Sequence, residues 1–166
     1  KGMYLTQITE DGELAVLSGS NQYSVSDQVI RGGVKIQKRD METKDIKAQG
    51  SATLKDAAFA IISLNENPVL VEGKLYKKNE TVKTIQTGID GIATTTADLL
   101  PYGKYKLEET KAPEGYLTDG AKAIEFSITE NGKIVDLTDE SHSIYNQIKR
   151  GDLEGVKIGA GTHKRL

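Results

Sequence analysis

The sequence predicts an all-β sandwich. Three observations carry that expectation: short runs in which apolar and polar residues alternate, turn signals between the runs, and no long amphipathic helical pattern. In the first run, Val34, Ile36 and Lys38 alternate with Lys35, Gln37 and Arg39. Residues 51–56 have room for one helical turn, and Ala57, Phe59 and Ile61 then form a second apolar face. Asp90-Gly91 and Tyr102-Gly103 mark turns. After them Tyr105 and Leu107 alternate with Lys104, Lys106 and Glu108. Ile124, Phe126 and Ile128 follow, then Asn131-Gly132, which reads as a hairpin turn into a strand from Ile134. Ile144, Asn146 and Ile148 close the series.

Composition narrows the function. The chain has 166 residues, 28% of them charged, with a net charge of −2, so no field of one sign points to nucleic acid. No apolar run is long enough to span a bilayer, and no signal peptide opens the sequence, so targeting segments of an exported protein would lie outside it. Cysteine is absent, which excludes disulfides, thiolate catalysis and zinc–thiolate sites. His142 and His163 are the only imidazoles, which argues against a histidine metal cluster or a Ser-His-Asp triad. There is no Trp, and a stacking platform for single-stranded nucleic acid needs more rings. No cofactor and no metal are implied.

An internal repeat sets the domain organisation. The run from Ile8 to Leu14 resembles that from Ile128 to Ile134, and Asp27 to Gly32 resembles Asn146 to Gly151. Chance similarity between β-hairpins is the competing explanation, but two blocks recur in the same order at nearly the same offset. Residues 1–28 therefore read as the last strands of a preceding domain and 29–33 as a linker. Residues 34–149 read as one complete domain, and 150–166 as a linker and the first strand of a following domain. Asp27 stands where Asn146 stands in the repeat. Lys157 aligns with Lys38 in one anchoring of the repeat and with Lys35 in another.

Alternation places three polar residues where apolar ones belong. Lys38 continues the Val34, Ile36 face, Glu109 continues the Tyr105, Leu107 face, and Asn146 sits between Ile144 and Ile148. An unpaired buried charge is costly, so an amine, a carboxyl and a carboxamide aimed inward must find one another. Alternation leaves two further explanations open: a buried Lys–Glu ion pair beside a satisfied Asn, or strand ends whose polar tips reach solvent.

Local motifs add a resemblance. The segment from Tyr105 to Tyr116 matches Y-x-L-x-E-T-x-A-P-x-G-Y, and so resembles the E-box of collagen-adhesin B-type (CnaB, or SpaA-like prealbumin) domains. Lys38-Arg39-Asp40 resembles the first-strand K-x-D of that family, and Leu100 to Tyr105 its L-P-x-G-x-Y. Leu54 to Phe59 resembles L-x-G-A-x-F, with Asp56 where glycine is usual. The resemblance covers about 115 residues in order. It implies an Ig-like or prealbumin-like sandwich of CnaB type, with partial neighbouring-domain segments at both ends. It also implies an intramolecular isopeptide bond between Lys38 and Asn146 promoted by Glu109; carried through the repeat, it makes Asp27 a candidate acceptor of the preceding domain, and Lys157 a candidate cross-link residue of the following one in the anchoring that aligns it with Lys38. Such self-processing happens once per molecule and is not enzymatic turnover.

The same resemblance implies a stalk domain of a Gram-positive adhesin or pilin, extracellular and wall-anchored, whose partners are adjacent domains of its own chain. The alternative is a module that binds a host matrix or cell-surface ligand without a mechanical role. Arg150-Gly151-Asp152 invites an integrin reading, but Arg31-Gly32-Gly33 fills the same repeat position without the Asp. The carboxylates of Glu108 and Glu109 invite a glycosidase reading, but neighbours on a strand face opposite sides.

Overall fold

A computed structural model of the chain describes residues 26–118 and 122–155. Among these residues no helix forms, and residues 51–56 make turns only. Eleven strands follow in order: β1 Arg31–Asp40, β2 Ala58–Ser63, β3 Val69–Val71, β4 Lys74–Tyr76, β5 Thr81–Gln86, β6 Ile92–Thr94, β7 Leu100–Pro101, β8 Gly103–Lys111, β9 Ile124–Ile128, β10 Ile134–Leu137 and β11 Ile144–Asn146. The expected all-β sandwich is the fold observed.

β1 organises one sheet. Its first half pairs in parallel with β10, Gly33 opposite Ile134 through Ile36 opposite Leu137. Its last turn of pleat pairs in parallel with β11, Lys38 opposite Ile144 and Asp40 opposite Asn146. β6 and β7 add antiparallel partners to the same strand. The second sheet is antiparallel, in the order β5-β2-β8-β9. Ten-residue β1 takes so many partners partly because Gly32 and Gly33 let them approach. A Cβ on Gly33 would lie 2.3 Å from the Thr96 carbonyl oxygen.

The inward faces interdigitate as alternation requires. Val34, Ile36 and Ile144 of the first sheet meet Phe59, Ile61, Tyr105, Leu107, Phe126 and Ile128 of the second. Tyr105 and Phe126, opposite each other on β8 and β9, stack with ring centroids 5.8 Å apart. The buried Tyr105 hydroxyl donates to the Pro101 carbonyl at 2.8 Å, so the phenol tip is satisfied in the core.

Two local expectations change. Asn131-Gly132 is not a hairpin turn: β9 pairs with β8, while β10 crosses to pair with β1 in the other sheet. The turn chemistry is as read, with Gly132 at φ 72°, but the turn is tied to the start of β1. Arg31 N donates to Asn131 Oδ1, and Gly132 N to the Arg31 carbonyl. Gln37, on the outward face by alternation, is buried as well. Its amide nitrogen donates to the carbonyls of Lys38 and Asp90, which brings the loop before β6 over the strand. β1 also begins at Arg31, inside the stretch read as a linker.

Candidate functional site

Lys38, Glu109 and Asn146 come together inside the sandwich. Lys38 and Asn146 lie on the paired strands β1 and β11, and Glu109 reaches them from β8 in the facing sheet, opposite Phe59 of β2. Lys38 and Asn146 are wholly buried, and so is the Glu109 side chain. Their inward aim follows from the two-residue period of each strand. Glu108, one residue away, points outward and pairs with Lys106, so the two neighbouring carboxylates do not form a pair.

Glu109 touches both partners. Its Oε1 lies 3.0 Å from Lys38 Nζ, and its Oε2 accepts a hydrogen bond from Asn146 Nδ2 at 2.7 Å. The Leu117 carbonyl accepts a second bond from the same nitrogen at 2.5 Å. Asn146 thus presents its nitrogen to the carboxyl and turns Oδ1 away. The Nζ–Oε1 approach has ion-pair distance without hydrogen-bond alignment. Lys38 Nζ, Glu109 Oε1 and Asn146 Oδ1 are therefore the buried side-chain polar atoms left without a hydrogen bond among the described residues. Orphaned atoms of this kind are rare in folded proteins and call for an explanation. All three belong to the triad singled out by alternation.

Burial pushes the Lys38 ammonium down from 10.5 to about 8, against the opposing pull of the Glu109 charge. The Lys38 amine also lies 5.9 Å from the Phe59 ring centroid, so its surroundings are apolar apart from the carboxyl. An amine here reaches its neutral, nucleophilic form far more readily than a surface lysine.

A second cluster closes the end of the sandwich beside the triad. Buried Asp40 accepts from the amides of Glu42 and Thr43, from Gln49 Nε2 and from the Tyr116 hydroxyl. Burial opposes its charge, but these donors hold the carboxyl below its ordinary range. Burial, aided by Asp40, pushes the Tyr116 hydroxyl up to about 12, so it stays a donor. Gly115, at φ 90°, turns the chain so that Tyr116 can reach inward, and a Cβ there would lie 2.5 Å from Ala52 Cβ. The motif reading drew attention to Asp40 and Tyr116 without giving either a role. Leu117 carried no sequence signal, because its contribution is a backbone oxygen.

The remaining candidates lie apart. Asp27 is exposed in irregular chain before β1, and Lys157 falls outside the described residues. Arg150, the first residue of the Arg-Gly-Asp tripeptide, is held by Glu42, which also accepts from Gln147 and Gln49. No cluster of metal-ligating residues occurs among the described residues.

No curated protein matches the chain. Among solved structures, it is similar to the Bacillus anthracis TIE protein at 28% identity and a TM-score of 0.46, covering 70% of this chain and 17% of that one. It is similar to BcpA, the major pilin subunit of Bacillus cereus, at 26% identity and 0.47, covering 72% of this chain and 31% of that one. It is similar to the shaft pilin spaA from Lactobacillus rhamnosus GG at 18% identity and 0.46, covering 75% and 48%. The chain thus spans less than half the length of each. Residues 32–141 match the family model for SpaA, a prealbumin-like fold domain. That span holds Lys38, Glu109 and the E-box segment, and stops five residues short of Asn146. With 110 of its 166 residues matched, the chain belongs to the SpaA family of prealbumin-like fold domains.

Proposed function

We propose that this is a load-bearing stalk domain of a Gram-positive cell-surface adhesin or pilin, cross-linked internally by an amide bond between Lys38 Nζ and Asn146 Cγ. The supporting observation is the buried contact of the three groups, in which Nζ and Oε1 face each other at 3.0 Å without hydrogen-bond alignment and Oδ1 has no partner. Nζ, Oε1 and Oδ1 lack hydrogen bonds in the unreacted site. In the product, Nζ becomes an amide N–H facing Glu109, and Oδ1 becomes the oxygen of that amide.

The chemistry follows from the contacts. Proton transfer from Lys38 to Glu109 gives a neutral amine beside a protonated carboxyl, which burial favours over the separated charges. Nζ attacks Cγ, the Cγ–Nδ2 bond breaks, and Glu109 delivers a proton to Nδ2, the atom its Oε2 already touches. The nitrogen leaves as ammonia; of the amine's two protons one remains on the new amide and the other passes to the Glu109 carboxylate beside it, which ends the step protonated as it began. The carboxyl contacts the leaving nitrogen and not the carbonyl oxygen, so its role is proton delivery more than carbonyl polarisation. The fold supplies the effective molarity that amine attack on an unactivated amide needs.

Geometry favours a mechanical role over a binding role. The chain enters at β1 and leaves after β11, and the two strands run parallel, so tension along the chain loads their pairing in shear. A bond from Lys38 to Asn146 carries that load from one strand to the other. Peptide mapping of the folded protein tests the reading. It should yield a branched peptide joining the fragments that contain Lys38 and Asn146, and Glu109→Ala should abolish it. Two linear peptides from wild-type protein would overturn the proposal.

A further inference from the structure

The reacting carboxamide is held by a backbone oxygen as well as by the carboxyl. Leu117 O accepts from Asn146 Nδ2 at 2.5 Å, yet Leu117 belongs to no strand. Its segment lies along residues 147–149, with Leu117 N donating to the Gln147 carbonyl and Lys149 N to that of Gly115. These bonds tie the Leu117 segment to the strand that carries Asn146. A further anchor ties it to the strand that carries Lys38. The Tyr116 hydroxyl, on a side chain 2% exposed, donates to Asp40 Oδ2 at 2.8 Å. Asp40 lies two residues beyond Lys38 and directly opposite Asn146 in the β1–β11 register. Gln49 and the turn amides of Glu42 and Thr43 fix the carboxylate from the other side.

We propose that Tyr116 and Asp40 are positioning residues for the cross-linking reaction. Their hydrogen bond sets the Leu117 carbonyl over Asn146, and so holds the carboxamide with its nitrogen on Glu109 and its carbon open to Lys38. Neither residue touches the reacting atoms; both act through the Leu117 carbonyl. The inference rests on the cross-linking reading of the triad and adds the device that orients the acceptor. Without the Tyr116 hydroxyl, the segment keeps its bonds to residues 147–149 but loses its tie to β1. The carboxamide can then rotate away from Glu109, and small displacements of a reacting group carry large rate penalties.

The test follows the loss of one ammonia by mass, in chain recovered unfolded from inclusion bodies and refolded by dilution. Tyr116→Phe should fold and cross-link at least about tenfold more slowly than wild type. Asp40→Asn, whose amide oxygen can stay on the Glu42 and Thr43 amides only by putting its nitrogen where Tyr116 donates, should be slowed similarly, and the double variant should be no slower than the slower single, because both act on the same Tyr116–Asp40 contact. The pH midpoint of the residual rate should stay at the wild-type value, since Lys38 and Glu109 keep their surroundings. General loosening would let water reach the amine and move that midpoint upward, which would overturn the positioning role. Should Tyr116→Phe fail to fold, Asp40→Asn carries the same test. Wild-type protein that never loses ammonia overturns the cross-link and this inference together. Wild-type protein that loses it no faster than Tyr116→Phe overturns the positioning role alone.

Discussion

Replacing Lys38 by Met removes the nucleophile while keeping most of the buried stem, and turns the cross-linked domain into one held by packing and strand pairing alone. The consequence is largest under tension. The 107 residues from 39 to 145 lie between the two attachment points of the bond. Fully extended they would span roughly 350–390 Å at 3.3–3.6 Å per residue. With the bond intact that length is hidden, because force passes along β1 to Lys38, across to Asn146 and out beyond β11. At most the seven residues from Arg31 to Gln37 could peel away on the N-terminal side, about 25 Å of chain. In Lys38→Met the load falls on the short β1–β11 pairing, in register from Lys38 opposite Ile144 to Asp40 opposite Asn146, whose hydrogen bonds each contribute only about 1 kcal/mol. Closing a loop of this size should also stabilise the folded state at equilibrium by about 4–5 kcal/mol on the chain-entropy model. Single-molecule pulling of the chain between marker domains checks the mechanical claim. Lys38→Met should show a contour-length step of several hundred ångströms that is absent from wild type. The same step in both proteins would refute the load-path argument and leave a binding module as the better reading.

Three further outcomes follow from the same geometry. Above about pH 8 Lys38 loses the proton that it shares with Glu109, so the cross-linking rate should fall as pH rises through that value; a rate that instead climbs through pH 8 to a plateau would show that Glu109 delivers no proton. In Asn146→Ala the amine stays buried and unbonded, and its folded value of about 8 lies below the 10.5 of the unfolded chain, which therefore binds the extra proton between them. Its stability, relative to the same protein carrying Lys38→Met, should be lowest below pH 8 and rise between 8 and 10.5 by at most about 3 kcal/mol; urea midpoints that keep a constant difference would contradict the burial argument. Asp56 sits at φ 63° with an exposed side chain, so Asp56→Gly should stabilise unbonded Lys38→Met by about 0.5–1 kcal/mol in denaturant titrations, and a loss of stability would contradict it.

How much of this was legible in the sequence depends on which interactions are local. The inward aim of Lys38, Glu109 and Asn146 follows from period-2 alternation within each strand, and needs no knowledge of which strands pair. Strand order is another matter. Alternation cannot show that β1 pairs in parallel with both β10 and β11, because both pairings join residues about a hundred positions apart. Asn131-Gly132 has the chemistry of a tight turn wherever its flanking strands go, so its sequence could not tell a hairpin from a crossing between sheets. The β3–β4 hairpin was not foreseen either. It turns at Glu72-Gly73, both with positive φ, and glutamate is an unusual first residue for such a turn. Gln37 is buried against alternation because it serves two backbone carbonyls brought in by a distant loop. The Leu117 carbonyl illustrates the same limit at the site, since no side chain advertises a backbone acceptor.

The central claim is that the three buried polar groups react with one another. The intact mass of the folded protein tests it most directly. Wild type should lack the mass of one ammonia relative to its sequence, while Lys38→Met and Glu109→Ala should each show their full calculated mass. A full, unmodified mass for folded wild-type protein would contradict the account and leave Lys38 and Glu109 as a buried ion pair beside an unreacted asparagine.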